Sequence, residues 1–215
     1  MISIPLLDEP EILAQNSEEW GIEFEQAQAN GNPLPHKYRN DEIRSSLREE
    51  TRNKCAYCES FIEHISFSHI EHIAPKSVFP RLVCAWPNLT LACSKCNTNK
   101  GDYYSEQAPL LNPYVDDVEH EIVFYGPMAI DRSSKAKLTI SKLKLNRPEL
   151  LFKREDTLRS VLNIIELIIS ADGNAPLIEA LREDLVKKLS VESEYSSCSR
   201  NFAEIEAPNR GIAAL

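Results

Sequence analysis

No stretch of this chain stays apolar for long. The greasiest run, Val161 to Ile169, is interrupted by Asn163 and Glu166 and falls well short of the roughly 20 residues a membrane-spanning helix needs. Met1 to Leu7 is apolar but too brief for a secretory signal, and it has no basic flank. Together these absences set aside membrane and secreted classes and give a cytoplasmic expectation. Internal repeats and low-complexity tracts are also missing, so repeat arrays and disordered tails drop out. Lys and Arg are absent from the first 35 residues, where seven acidic residues stand alone. The net charge of −9 is unevenly spread: residues 36–104 have two positive charges in excess, and residues 105–215 four negative. Even the basic part is weakly so, and tight binding to a polyanion therefore calls for a partner or an oligomer, such as a homodimer within a larger complex.

The chain does have six cysteines, and four of them form two C-x₂-C knuckles, Cys55/Cys58 and Cys93/Cys96. A C-x₂-C turn presents two thiolates from one tight loop, and two such turns complete the tetrahedron of a structural zinc site. With no open coordination position left, the metal there is structural. Thirty-four residues separate Cys58 from Cys93, so the clamp closes around an inserted unit. Cys84 and Cys198 are left over and read as small buried thiols.

The inserted unit carries His69-Ile70-Glu71-His72, and Asn97 follows the second knuckle directly. Phosphodiester hydrolysis needs an activated water, a cation to carry charge on the phosphate, and groups that hold the in-line geometry. His72 suits a general base because imidazole exchanges a proton near neutral pH. Glu71 and Asn97 offer hard oxygens for a catalytic Mg²⁺ or Mn²⁺. His69 shares the strand face of Glu71 by the period-two rule and is either a further ligand or an orienting group. Lys76 and Lys100 are candidate phosphate contacts. Asn88 reads as a brace for the loop rather than a substrate contact.

Periodicity and punctuation give an α+β expectation: a β-hairpin and helix tied at both ends, embedded in a mainly helical domain. Helices are expected over Asp8–Asn30 with Asp8 as cap, over Asn40–Arg52, and from Asn97 toward Tyr103. Strands are expected over Glu63–His72 and Asn88–Ala92, with a small hairpin at Glu121–Tyr125 and Met128–Ile130. Residues 135–145 and 148–170 read as helices, with another ending near Ser190, and the stretch from Ser193 onward shows no clear pattern. The resulting domain plan is a helical segment over 1–53 that could dock a partner, a zinc-stapled core over 54–104, and residues 105–215 packed with that core as one domain.

The order Cys55-x₂-Cys58, Glu71-His72-Ile73-x-Pro75, Asn88-Leu89, Cys93-x₂-Cys96-Asn97-x₂-Lys100 resembles the zinc-containing HNH (ββα-metal) endonuclease family. The resemblance implies His72 as general base, Glu71 and Asn97 as ligands of the catalytic metal, Asn88 as the loop-orienting Asn, and the cysteines as the zinc site. Glu71 stands where Asp or His is commoner in that family, and Asn97 where His is common. Trp86, Asn112-Pro113 and Leu145-Asn146-Arg147-Pro148-Glu149-Leu150 extend the similarity to the HNH subunit of Septu-type and retron-associated antiphage systems. That narrower resemblance implies a DNA-cutting effector working with an ABC-type ATPase subunit. An RNA nuclease, acting for example on tRNA, and a zinc-stabilised binding module without catalysis are the alternatives the sequence leaves open.

Overall fold

The computed structural model describes residues 1–62 and 69–212. The chain divides into two compact units, one of Ser3–Asp116 and one of Asp117–Leu215 together with Met1–Ile2. The expected strand over Glu63–His72 is seen from His69 onward, and its first six residues lie outside the described ones.

In the first unit, α1 spans Glu11–Ala29. Asp8 was expected to cap it, but extended Pro10 occupies the cap position without a side-chain hydrogen bond, so the helix starts later. Gly21 allows α1 to press on the 3₁₀ turn at Pro80–Leu82: a Cβ there would stand 2.5 Å from the Arg81 carbonyl oxygen. Another 3₁₀ turn, Lys37–Arg39, leads into α2 at Asp41–Glu50. Asn40 caps α2, its Oδ1 accepting from the Glu42 N–H at 2.8 Å. Ile43 and Leu47, one turn apart, are fully buried on the face toward the following hairpin.

That hairpin pairs β1, His69–His72, antiparallel with β2, Leu89–Ala92, in the register His69↔Ala92 to His72↔Leu89. Every residue of β2 is buried, because elements cover both of its faces. The helix expected from Asn97 begins earlier, as α3 over Ser94–Lys100, with the Cys93 sulfur accepting from the Cys96 N–H at its start. Gly101 ends it at φ +53, a conformation glycine adopts without strain. The strand–strand–helix order is ββα.

The second unit contains the single turn α4 at Val118–Glu121, a hairpin of β3, Ile122–Tyr125, and β4, Met128–Asp131, and then α5, Ser134–Lys142. Pro148 starts α6, Pro148–Ser170, at a position where its missing N–H costs nothing. Val161, Ile165 and Ile168 of α6 pack with Leu185 of α7, Ala175–Leu189, and with Ala203 and Ala207 of α8, Ser196–Asn209. The helix α8 lies in the stretch after Ser193 where the sequence shows no clear pattern. Among the described residues no helix is long and apolar enough to cross a membrane.

Candidate functional site

The first knuckle is closed by the Cys55 N–H on the Ser60 carbonyl and the Glu59 N–H on the Cys55 carbonyl, both at 2.9 Å, with Glu59 turned to φ +64. The Ala56 N–H donates to the Leu91 carbonyl at 2.9 Å and fastens this knuckle to β2. The second knuckle is the first turn of α3. The four sulfurs of Cys55, Cys58, Cys93 and Cys96 lie within 4.8 Å of one another, and Cys58 and Cys93 are 3.9 Å apart. A tetrahedron of Zn–S bonds of about 2.3 Å has sulfur–sulfur edges of about 3.8 Å, whereas a disulfide would bring two sulfurs to about 2.05 Å. Donor type, number and spacing fit zinc. Among the described residues this is the one group of three or more His, Cys, Asp or Glu side chains close enough to share an ion.

On β1, Glu71 and His72 are both buried. Glu71 Oε1 pairs with the Lys100 ammonium at 2.7 Å, and the same ammonium donates to the His72 carbonyl at 2.8 Å. Lys100, expected as a phosphate contact, is 3 % exposed: its charge is turned inward, tying the end of α3 to β1. Burial raises the Glu71 pKa, with Lys100 and Lys76 pulling against it. Asn97 lies one turn before Lys100 on the same face of α3 and is half-buried. The Tyr57 hydroxyl is buried, has no hydrogen-bond partner among the described residues, and feels the Glu71 charge. A hard carboxylate oxygen at Glu71 near this unanswered polar atom is donor chemistry that suits a divalent cation.

The His72 ring is oriented by backbone. Its Nε2 lies 2.9 Å from the Val83 carbonyl oxygen, and a carbonyl only accepts. The hydrogen of the neutral imidazole is therefore on Nε2 and the lone pair on Nδ1. Burial lowers the pKa of His72 to about 4, Lys76 and Lys100 add repulsion, and the Val83 hydrogen bond opposes both. At neutral pH the ring is uncharged and can accept a proton.

The loop from Ile73 to Asn88 is strapped by Asn88. Its Oδ1 accepts from the Ala74 N–H at 2.7 Å, and its Nδ2 donates to the carbonyls of Ala74 at 3.1 Å and Leu82 at 3.0 Å. This strap sets Val83 beneath His72. His69 stands at the exposed start of β1, in strand register with Glu71. One aromatic residue that sequence reasoning gave no part also reaches the site: the buried Tyr38 ring stands perpendicular to His72, with centroids 4.8 Å apart. No motif could have revealed it, since the contact joins residues far apart in the chain.

Residues 55–103 match the family model described as HNH endonuclease. The chain carries an HNH endonuclease domain. Outside that domain the similarity continues. Septu protein PtuB of Bacillus thuringiensis is 32 % identical over 169 residues, covering 72 % of this chain and 65 % of that protein. Septu protein PtuB of Bacillus mycoides strain KBAB4 is 27 % identical over 218 aligned positions, covering 83 % of this chain and 73 % of that relative. The chain thus spans a little under two thirds of the length of the first of these relatives. The HNH domain holds both the thiolate cluster and the Glu71–His72 pair, while Tyr38 lies ahead of it.

Proposed function

We propose that this protein is a metal-dependent endonuclease that hydrolyses DNA phosphodiester bonds, as the effector nuclease of an antiphage defence system working with an ABC-type ATPase subunit. The observation that carries the reading is the buried His72 imidazole, fixed through Nε2 to the Val83 carbonyl with its Nδ1 lone pair free of any hydrogen bond among the described residues. In this reading Nδ1 takes a proton from the attacking water as the water oxygen bonds to phosphorus. The P–O3′ bond breaks and the departing oxygen takes a proton from solvent water, leaving a 5′-phosphate and a 3′-hydroxyl. Glu71 and Asn97, with His69 as a further candidate, would hold Mg²⁺ or Mn²⁺. When bound, that ion supplies Lewis-acid stabilisation of charge on the phosphate and the leaving oxygen. Lys100 holds Glu71 in place, and Asn88 keeps the loop that carries Val83 closed. The Cys55, Cys58, Cys93 and Cys96 thiolates staple the fold around zinc and leave the chemistry to the other site.

The similarity to Septu PtuB proteins supports the defence role, and the acidic first 35 residues suit a docking surface for the partner. The test is plasmid nicking with Mg²⁺ or Mn²⁺, with and without the partner ATPase, beside His72→Ala. Cleavage should vanish in the variant while its zinc content stays unchanged and it still unfolds cooperatively, at a melting temperature lowered by the lost imidazole contacts. Equal nicking by both proteins would remove His72 from the chemistry. Cleavage of RNA alone would move the substrate to that class, and cleavage of neither would leave a binding module.

A further inference from the structure

We infer that Tyr38 is a positioning residue for the general base, holding the His72 imidazole in the one rotamer in which Nε2 meets the Val83 carbonyl; the inference rests on the nuclease reading. A single hydrogen bond fixes one atom of a ring and leaves the ring free to swing about the Nε2···O line. A second contact on its flank removes that freedom. Tyr38 supplies such a contact: its ring is 83° from the plane of the imidazole at a centroid distance of 4.8 Å, within the range in which perpendicular aromatic pairs attract.

Tyr38 is itself held on several sides. It is 3 % exposed, and its 3₁₀ turn is closed by the Arg39 N–H on the His36 carbonyl at 2.9 Å and the Asn40 N–H on the Lys37 carbonyl at 3.2 Å. The Arg39 guanidinium and the Lys76 ammonium stand 5.7 and 5.8 Å from the ring centre, close enough for cation–π attraction. The Cys84 thiol, next in the chain to Val83, lies near the Tyr38 backbone. Tyr38 belongs to the turn before α2 and lies outside the matched HNH segment, so the catalytic geometry depends on chain that the family motif does not include.

The experiment uses the full chain, zinc-loaded, as wild type, Tyr38→Met, Tyr38→Leu and Tyr38→Phe, with folding checked by melting and zinc content. Two readouts are taken: kcat and KM for plasmid nicking, and the His72 ring resonances in histidine-labelled protein. Met fills much of the volume without a ring, so it covers the case in which Leu fails to fold. The expected result is a fall in kcat of about 10- to 100-fold for Met and Leu at unchanged KM. Their His72 signals should lose the ring-current shift and split or broaden, and Phe, which keeps the ring, should restore both readouts. A single sharp, unshifted His72 signal and wild-type kcat in Tyr38→Met would overturn the inference. If wild type itself fails to cut, the nuclease reading fails, and the resonances alone still decide whether Tyr38 orders the ring.

Discussion

Two hairpins of equal strand length sit in very different surroundings. β1–β2 is buried apart from His69, whereas β3–β4 has Tyr125, Met128 and Ile130 open to solvent. A two-stranded hairpin is at best marginal on its own in water, so each needs help from outside the pair, and the help differs in kind. β2 runs straight into the second knuckle, and the first knuckle is fastened to it at Leu91. In the other hairpin, Phe124 and Ala129 face each other in register, and their outward backbone groups are met by amide side chains. Asn146 accepts from the Ala129 N–H and donates to its carbonyl, both at 2.8 Å, and Asn201 accepts from the Phe124 N–H at 2.9 Å. One hairpin is stapled by coordination chemistry and the other by asparagines that take the place of a neighbouring strand.

The largest break in this comparison should come from Cys93→Ser. It removes a thiolate ligand while the serine hydroxyl can still cap α3, and because zinc binding and folding are one equilibrium in such sites, a loss of several kcal/mol is expected. Hydrogen exchange should show the β1–β2 amides losing protection while the β3–β4 amides retain theirs, with zinc lost from the protein. Unchanged protection in a zinc-free variant would refute the staple. Asn146→Ala is the matching break in the second hairpin. It leaves the buried Ala129 backbone groups without their partner, at a cost of about 1–3 kcal/mol, and should speed exchange at Ala129 while leaving β1–β2 alone.

A smaller, pH-dependent effect belongs to the first unit. Buried Glu50 accepts from the Leu7 N–H at 2.9 Å and the Tyr114 hydroxyl at 2.7 Å, and burial raises its pKa against these two hydrogen bonds. Between the ordinary carboxylate value and this raised one, the folded chain keeps a proton the unfolded chain has shed. Stability from this group is therefore present at low pH and declines as pH rises through that window. Glu50→Gln should erase this contribution: the difference in melting temperature between variant and wild type should shift in favour of the variant as pH rises. A difference that stays flat with pH would show that Glu50 is not the titrating group. Smallest of all are the asparagine caps, one in each unit. Asn40 accepts from Glu42 and Asn174 from the Leu177 N–H at 3.3 Å, and alanine at either should cost about 0.5–2 kcal/mol in denaturant melts. Asn40, with the shorter bond, should cost the more.

The parts of the molecule legible from sequence are those whose cause is local. Pro148 and an apolar period define α6, and the knuckle spacing places the thiolate cluster. The helix α8 was missed because its buried positions are Ser196, Ser197, Cys198, Ser199, Ala203 and Ala207: small residues that pack well and leave no apolar stripe. Its entry residue, Tyr195, is left-handed at φ 52 and provides no side-chain cap. The start of α3 was missed for a different reason, since a cysteine sulfur takes the place of the usual capping oxygen. Lys100 reads as surface because lysines usually are, and only the fold brings Glu71 to it. Tyr38 illustrates the general difficulty at this site: its partner stands on another element, and no period or spacing links the two.

Cys93 is both a sulfur of the cluster and the cap of α3, and Asn97 follows one turn later. The cluster is therefore an optical reporter built beside the candidate active centre. With Co²⁺ in place of zinc, and with Asn97 holding the catalytic cation as proposed, the thiolate-to-metal charge-transfer bands should shift when that cation binds and pulls on the first turn of the helix.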